Sequence, residues 1–377
     1  MHNIIRKFLG RTYYPLNRVE INKKNLISNY LQLSKISNKI KIAPVLKSNA
    51  YGHGLLAIAK IVDEFAPPFI CVDSLYEAYE LYMAKIKSKI LIMGYIDPEN
   101  LKVKKLPFSY AVYDLKLLEV INKYQKGAGV HIKVDTGMNR LGIKINDLEA
   151  FFTQLRNFPD ITVEGIMSHF ASAGNGQDEA VKLQLRNFNK ALSLAKKFAI
   201  NFKLSHIASS SSLLNLDSNS LEKVSNLARV GLALYGINGE NTKVKLKPVL
   251  SLKSRIVQIK DLVIGEKVGY NGTFKAIKPL KIGLLPLGYN DAIDRRLSNK
   301  GVVLVNGKQC KIVGMVSMNI TGIDLTNVDS AKEDDEVTVI SNNSKDANSI
   351  SNLAKTANTI PYDILVRISS SIRREVI

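Results

Sequence analysis

Lys47 closes an apolar run, Ile42-Ala43-Pro44-Val45-Leu46, and is followed at once by Ser48-Asn49-Ala50-Tyr51-Gly52-His53-Gly54. The run reads as a strand buried on both faces, the small residues as a turn, and Leu55 to Val62 as a helix. Strand ends in α/β folds are where chemistry collects. A lysine held there against apolar walls is pushed towards its neutral amine, a nucleophile for an aldehyde. It could equally extend its ammonium into water. Arg140 follows a strand ending at Asp135 and lies on a glycine-bearing loop. Its planar fork suits a carboxylate, though a surface ion pair would also explain it. His169 ends a further strand, and Tyr270 stands in a glycine-rich turn, where packing alone could account for it.

The elements that must carry these side chains alternate strand and helix over the first two-thirds of the chain. Strands are expected at 69–73, 89–94, 110–113, 130–135, 163–169, 202–208 and 228–235, with helices at 75–86, 115–126 and 184–198. Repeated strand–helix pairs over this length predict a parallel (β/α)8 barrel. Near residue 240 the pattern changes. Residues 248–260 alternate with period two, Gly265, Gly269 and Gly272 separate short β-rich runs, and Asn306-Gly307 is a hairpin signal. The expected fold class is α/β, an N-terminal parallel barrel with a C-terminal mainly β domain. The expected boundaries are an extension over 1–16, the barrel over 17–242 and the β domain over 243–377, with one helix near 349–359.

A chain of 377 residues with 46% apolar content is long enough for two cores. The apolar runs are far shorter than the roughly 20 residues needed to span a bilayer. The basic N-terminal stretch lacks a sustained apolar core and a cleavage site, so a cytoplasmic protein is expected. Two cysteines, Cys71 and Cys310, indicate no disulfide framework. The net charge of +20 would suit nucleic acid or an anionic membrane, but the lysines are scattered and no aromatic-interleaved basic run accompanies them. Neither partner is expected, and no metal is.

The wording around these residues adds more. Lys47-Ser-Asn-Ala-Tyr-Gly-His-Gly54 closely resembles the pyridoxal 5'-phosphate (PLP) lysine motif of the alanine racemase family. Lys133-Val-Asp-Thr-Gly-Met-Asn-Arg140, Ser168-His169-Phe170, His206-Ile-Ala-Ser-Ser210, Ala228-Arg229-Val-Gly231-Leu232, Val268-Gly-Tyr270, Leu287-Gly-Tyr289 and Val316-Ser-Met318-Asn319 resemble further segments of it. The resemblance runs from about Val19 to Tyr362. It implies that Lys47 carries PLP as a Schiff base and that Tyr51, Ser210, Gly231, Leu232 and Tyr362 reach the cofactor phosphate. It places His169 beside the ring and Arg229 at the pyridine nitrogen, with His206 in support. Arg140 and the backbone N–H of Met318 would hold the substrate carboxylate, and Lys133, carbamylated in some members, would orient Arg140. Tyr289 would line the substrate channel. Asn319 stands where the family has aspartate.

The implied reaction is interconversion of L- and D-alanine by two bases, Lys47 for the D-enantiomer and Tyr270 for the L-enantiomer, supplying D-alanine for peptidoglycan. In the family the tyrosine comes from the other subunit, so a homodimer is implied. Tyrosine ordinarily titrates near 10, so Tyr270 needs help from the His169–Arg229 path. Arginine has no acceptor and hardly gives up a proton, so it can donate to the ring nitrogen without protonating it. A racemase of broader specificity would share every one of these residues. A decarboxylase would place a carboxylate where Arg229 stands, and a PLP-carrier protein would lack the second domain.

Overall fold

The computed structural model describes residues 15–172, 178–237, 242 and 244–377. Most of the expected N-terminal extension, residues 1–14, lies outside them. The described residues divide into two compact units, one within 23–249 and the other made of 15–22 together with 250–377.

Among the described residues of the first unit eight short strands run parallel around the barrel, and a two-residue strand, Ile143–Lys144, pairs beside the fifth. The eight are Lys41–Pro44, Ile70–Val72, Ile90–Ile92, Ser109–Val112, Ala128–Asp135, Ile161–Met167, Leu204–His206 and Leu227–Val230. Ladders join the second to the seventh in order. The eighth pairs with the first, Arg229 opposite Ala43, and single bridges Val45–Cys71 and Ser209–Arg229 close the remaining gaps. The result is the expected parallel barrel. Helices Leu55–Asp63, Leu75–Met83, Leu115–Tyr124, Leu148–Leu155 and Glu179–Lys197 cover it, and a 3₁₀ turn at Pro98–Lys102 stands where one more helix would fall. Strands Ile70–Val72, Ile90–Ile92 and Ser109–Val112 are buried at every position, as a sheet covered by helices on one side and filled by side chains on the other requires. The strand expected over 228–235 stops at Val230, because Gly231 to Gly236 form turns.

The second unit is mainly β. A nine-stranded, mostly antiparallel sheet runs from Gln258–Leu262 at one edge to Arg373–Val376 at the other. Arg18–Ile21, expected in the barrel, belongs here instead. It pairs antiparallel with Leu250–Arg255 and parallel with Arg373–Val376. Its alternating burial, with Val19 and Ile21 inward, gives it one face for this core. The expected boundary at 242–243 correspondingly falls at 249–250. The expected C-terminal helix is present as Ile350–Thr356.

Candidate active site

Lys47 begins a single turn of unusual hand. Ser48, Asn49, Ala50 and Tyr51 all take φ between 52° and 55°. For L-residues this region costs about 1–2 kcal/mol each, so the turn persists only because its surroundings fix it. Ala50 and Tyr51 are buried. The His53 ring nitrogen Nδ1 bonds the carbonyls of Ala50 and Tyr51, both at 3.0 Å. Asn49 Oδ1 accepts from Leu55 N at 2.7 Å, and Asn49 N donates to Glu77 Oε1 at 3.3 Å. The sequence shows turn-forming residues here but not the hand. Nor are the walls around Lys47 wholly apolar: its Nζ lies 3.9 Å from Asp73 Oδ1, and its side chain is partly exposed.

Tyr51 stands beside the loop that follows Arg229. A Cβ on Gly231 would come within 2.7 Å of Tyr51 Oη, so only glycine leaves the hydroxyl this place. Ser210 Oγ accepts from the backbone N–H of Gly231 at 3.0 Å and of Ala233 at 3.4 Å. Tyr51, Ser210, Gly231 and Leu232 thus come from segments that converge on one backbone-lined cradle, the kind of surface that suits a phosphate. That close approach, kept open by the missing Cβ, fits the phosphate end of PLP, and Lys47 a few residues before Tyr51 fits its aldehyde end.

Arg229 is 5% exposed, and both of its terminal nitrogens face acceptors. Nη1 donates to His206 Nδ1 at 2.7 Å and to the His206 carbonyl at 2.6 Å. Nη2 donates to the Ser168 carbonyl and, at 3.2 Å, to His169 Nδ1. Burial lowers its pKa to about 10, which still leaves it charged at neutral pH. Burial also lowers His169 to about 3, helped by the positive charges of Arg229, Arg140, Lys47 and Lys133. Burial, then Arg140, brings Lys133 down to about 8. Its Nζ donates to the Met93 carbonyl at 3.3 Å. Arg140 is exposed, on a loop pinned by Asp135 Oδ1, which accepts from the N–H groups of Gly137, Met138 and Asn139.

Three residues, one at this end of the barrel and two in its interior, are not singled out by the sequence. Gln184, buried on its helix, donates to Thr136 Oγ1 at 3.2 Å and to the His169 carbonyl at 3.0 Å, and accepts from Ala171 N at 2.9 Å. It ties the strand end that leads to Arg140 to the one that carries His169. Its only sequence signal is a polar residue on the apolar face of an amphipathic helix. His131 and Glu164 lie deeper, in contact with each other, and both sit within strands where an alternating pattern would want apolar side chains.

The remaining expected residues belong to the β unit. Tyr270 opens a 3₁₀ turn between the paired strands Lys267–Val268 and Phe274–Lys275, and is 68% exposed. Asn271 bends that turn with φ 60°. Tyr289 and Met318 are brought together by backbone bonds, Tyr289 N to Ser317 O and Asn290 N to Met318 O, both 3.0 Å. Asn319 donates its amide to Asp291 Oδ2 at 3.2 Å, and the same carboxylate oxygen accepts from Gly288 N at 2.9 Å. Tyr362 lies on the short helix Pro361–Leu365 and is partly exposed.

Comparison with known proteins identifies the family and the fold. The family model described as the alanine racemase N-terminal domain matches residues 21–239, and that of the alanine racemase C-terminal domain matches 249–376. An alanine racemase from Syntrophobacter fumaroxidans is 36% identical, the match covering 93% of this chain and 94% of that protein. Among solved structures, the alanine racemase from Bacillus anthracis with bound L-Ala-P superposes with a TM-score of 0.89 at 29% identity, over 97% of this chain and 96% of that one. The enzyme from Bartonella henselae with covalently bound pyridoxal phosphate gives 0.85 at 25% identity, over 97% of this chain and 100% of that one.

Proposed function

The chain belongs to the alanine racemase family, and on that premise we propose that it is a PLP-dependent enzyme interconverting L- and D-alanine. The observation that carries the reading is the pairing of strand Lys41–Pro44, which leads into the Lys47–Tyr51 turn, with the strand that carries Arg229, together with Gly231 leaving room for the Tyr51 hydroxyl.

PLP, when bound, supplies a conjugated electron-accepting ring that acidifies the α-proton of an attached amino acid. The residues supply the rest. Lys47 tethers the cofactor and takes the α-proton of D-alanine. Tyr270 takes that of L-alanine, and each returns a proton to the opposite face. Two bases are the simplest way to invert a centre fixed between walls. Tyr51, Ser210, Gly231, Leu232 and Tyr362 hold the phosphate. Arg140 and the Met318 N–H hold the substrate carboxylate, with Lys133 beside Arg140.

Arg229 offers the ring nitrogen a donor and no readily lost proton. Arg229 would therefore hold that nitrogen by donation and hand it no proton, a role that would favour racemisation over transamination. His169 accepts from Arg229 at Nδ1, so a neutral ring carries its proton on Nε2, where it can steady a phenolate.

We read Tyr270 as acting in the partner subunit's site, in a homodimer. Its exposure, with that of Met318 and Tyr289, supports this. Among the described residues no helix is long and apolar enough to cross a membrane. A cytoplasmic role supplying D-alanine for peptidoglycan is the corresponding biological reading.

The test is racemisation of L-alanine by the purified protein with PLP, read by chiral chromatography beside L-serine, L-lysine and L-arginine. Alanine converted alone or far faster than the rest is the expected result. Comparable conversion of the longer amino acids would replace the reading with a broad-specificity racemase, and cofactor binding without racemisation would defeat it.

A further inference from the structure

A polar chain crosses the barrel interior from the site to the opposite rim. His206 Nδ1 faces Arg229 Nη1 at 2.7 Å, and His206 Nε2 faces His131 Nδ1 at 2.8 Å. His131 Nε2, buried with no hydrogen-bond partner of ordinary length, faces Glu164 Oε2 at 3.5 Å. Glu164 accepts from Ser109 Oγ at 2.6 Å and from Lys89 Nζ at 2.9 Å. Ser109 begins its strand and Lys89 precedes one, so this end lies at the rim away from Lys47.

The chain can point only one way. A guanidinium has protons and no acceptor, so His206 must accept at Nδ1 and carry its proton on Nε2. That proton is donated to His131 Nδ1, which leaves the His131 proton on Nε2, directed at Glu164. An ionised carboxylate only accepts, so the far end closes with the same polarity. Burial lowers the pKa of both histidines, which keeps them neutral. Burial would raise Glu164, but the facing His131 ring and the hydrogen bonds from Ser109 and Lys89 hold it at about 2. All the groups are therefore in the protonation states that the direction demands.

The strands are shaped around this chain. A Cβ on Gly129 would come within 2.1 Å of Glu164 Oε2, and one on Gly165 within 2.7 Å of His131 Nδ1. Glycine weakens a strand interior, and barrel interiors are ordinarily filled by branched apolar side chains. Apolar replacements of buried polar groups are often neutral or stabilising. A buried polar path with two glycines making room for it therefore calls for a role beyond packing.

We propose that Glu164 and His131 are positioning residues for the catalytic site, forming with His206 a one-way hydrogen-bond relay that fixes how Arg229 presents its N–H groups. The proposal rests on the racemase reading, in which Arg229 meets the cofactor ring. Without Glu164 only Arg229 still sets the direction and the His131 proton faces no acceptor at the far end, so the opposite tautomers, in which His206 presents an N–H to the guanidinium, are less strongly disfavoured. Where they form, Arg229 must shift, and the cofactor nitrogen loses its fixed partner while the carboxylate site at Arg140 is untouched.

The chain has five histidines, so ring nitrogens can be followed by ¹⁵N–¹H spectra of histidine-labelled holoprotein. His131 and His206 are expected to be neutral and protonated at Nε2. Glu164→Leu and His131→Phe are expected to move the absorption band of bound PLP and to lower kcat by about tenfold or more, with KM for L-alanine within about twofold. Glu164→Gln, whose amide oxygen still accepts, should keep the ring protons in place and recover most of kcat. A proton on Nδ1 of either ring overturns the proposal. So does folded Glu164→Leu protein with wild-type kcat and an unmoved band. If Glu164→Leu does not fold, the wild-type ring protons and Glu164→Gln decide. A wild-type protein that binds no PLP and racemises nothing would instead overturn the racemase reading, and this role with it.

Discussion

Arg229 Nη2 lies 3.2 Å from His169 Nδ1, and since the arginine can only donate, His169 can only accept there. The contact keeps His169 neutral as well as oriented, because protonation would set two donors against each other. Its pKa is lowered to about 3 by burial and by Arg229, Arg140, Lys47 and Lys133.

Stability should therefore decline early on acidification. Between about pH 6.5 and 3 the unfolded chain protonates at position 169 while the native chain does not, and His131 and His206 are lowered in the same direction. The unfolded state then binds more protons, so stability is full above about pH 6.5 and falls as pH drops through this window. Urea midpoints measured from pH 8 to 5 are expected to fall before the carboxylates titrate, and less steeply in His169→Gln. A midpoint flat from pH 7 to 5 would contradict this.

The Asn319–Asp291 contact gives the amide at 319 a use that an aspartate there would lack. An aspartate at 319 would set a second carboxylate against Asp291 Oδ2 at the position where the amide now donates. Asn319→Asp is expected to lower stability by up to about 1 kcal/mol at neutral pH, the scale of an exposed charge contact. The loss should vanish near pH 3, where the added carboxyl is protonated. An equal loss at both pH values would point to packing and not charge.

Lys133 is placed to react with carbon dioxide. Burial, then Arg140, lowers its pKa to about 8, so neutral amine is available near neutrality. The ammonium first gives one proton to water; the neutral amine nitrogen then bonds the carbon of CO₂ as one C=O π pair moves to oxygen, and the nitrogen gives a second proton to water, so that a cation becomes a carbamate anion. Arg140 and Arg229 would then face a negative charge. Protein prepared in ¹³C-bicarbonate should show a carbamate resonance that is absent from Lys133→Met. In that variant KM for L-alanine should rise by roughly tenfold with a smaller change in kcat, since Arg140 serves binding. No carbamate resonance in the wild type would sink the prediction.

How much of this was legible in the sequence depended on whether a residue acts through its neighbours in sequence or across the barrel. The strand–helix alternation and the change near residue 240 are local patterns, and both units follow from them. Lys47, Tyr51 and Arg229 sit in contiguous motifs. The left-handed turn after Lys47 was not legible, because nothing in Ser-Asn-Ala-Tyr prescribes that hand. It is imposed by His53, Glu77 and burial of Tyr51. Arg18–Ile21 was misplaced because its partners lie more than 200 residues away. Gln184, His131 and Glu164 were missed for a related reason. Each is one polar residue in an otherwise apolar pattern, and only the closed barrel shows what it meets.

Sharing of sites between subunits can be tested by mixing two dead proteins. Lys47→Ala should lose the covalent cofactor band. Tyr270→Phe should keep the band while L-alanine turnover falls by about a hundredfold or more, the scale of a lost general base. If Tyr270 serves the partner subunit's site, a mixed dimer holds one site with both substitutions and one with neither. Unfolding and refolding an equimolar mixture should then restore about a quarter of wild-type activity, since half the dimers are mixed and each has one intact site. If each subunit used its own Tyr270, every site in the mixture would lack one base and no activity would return. Recovery near a quarter, linear in the fraction of mixed dimer, is the expected outcome.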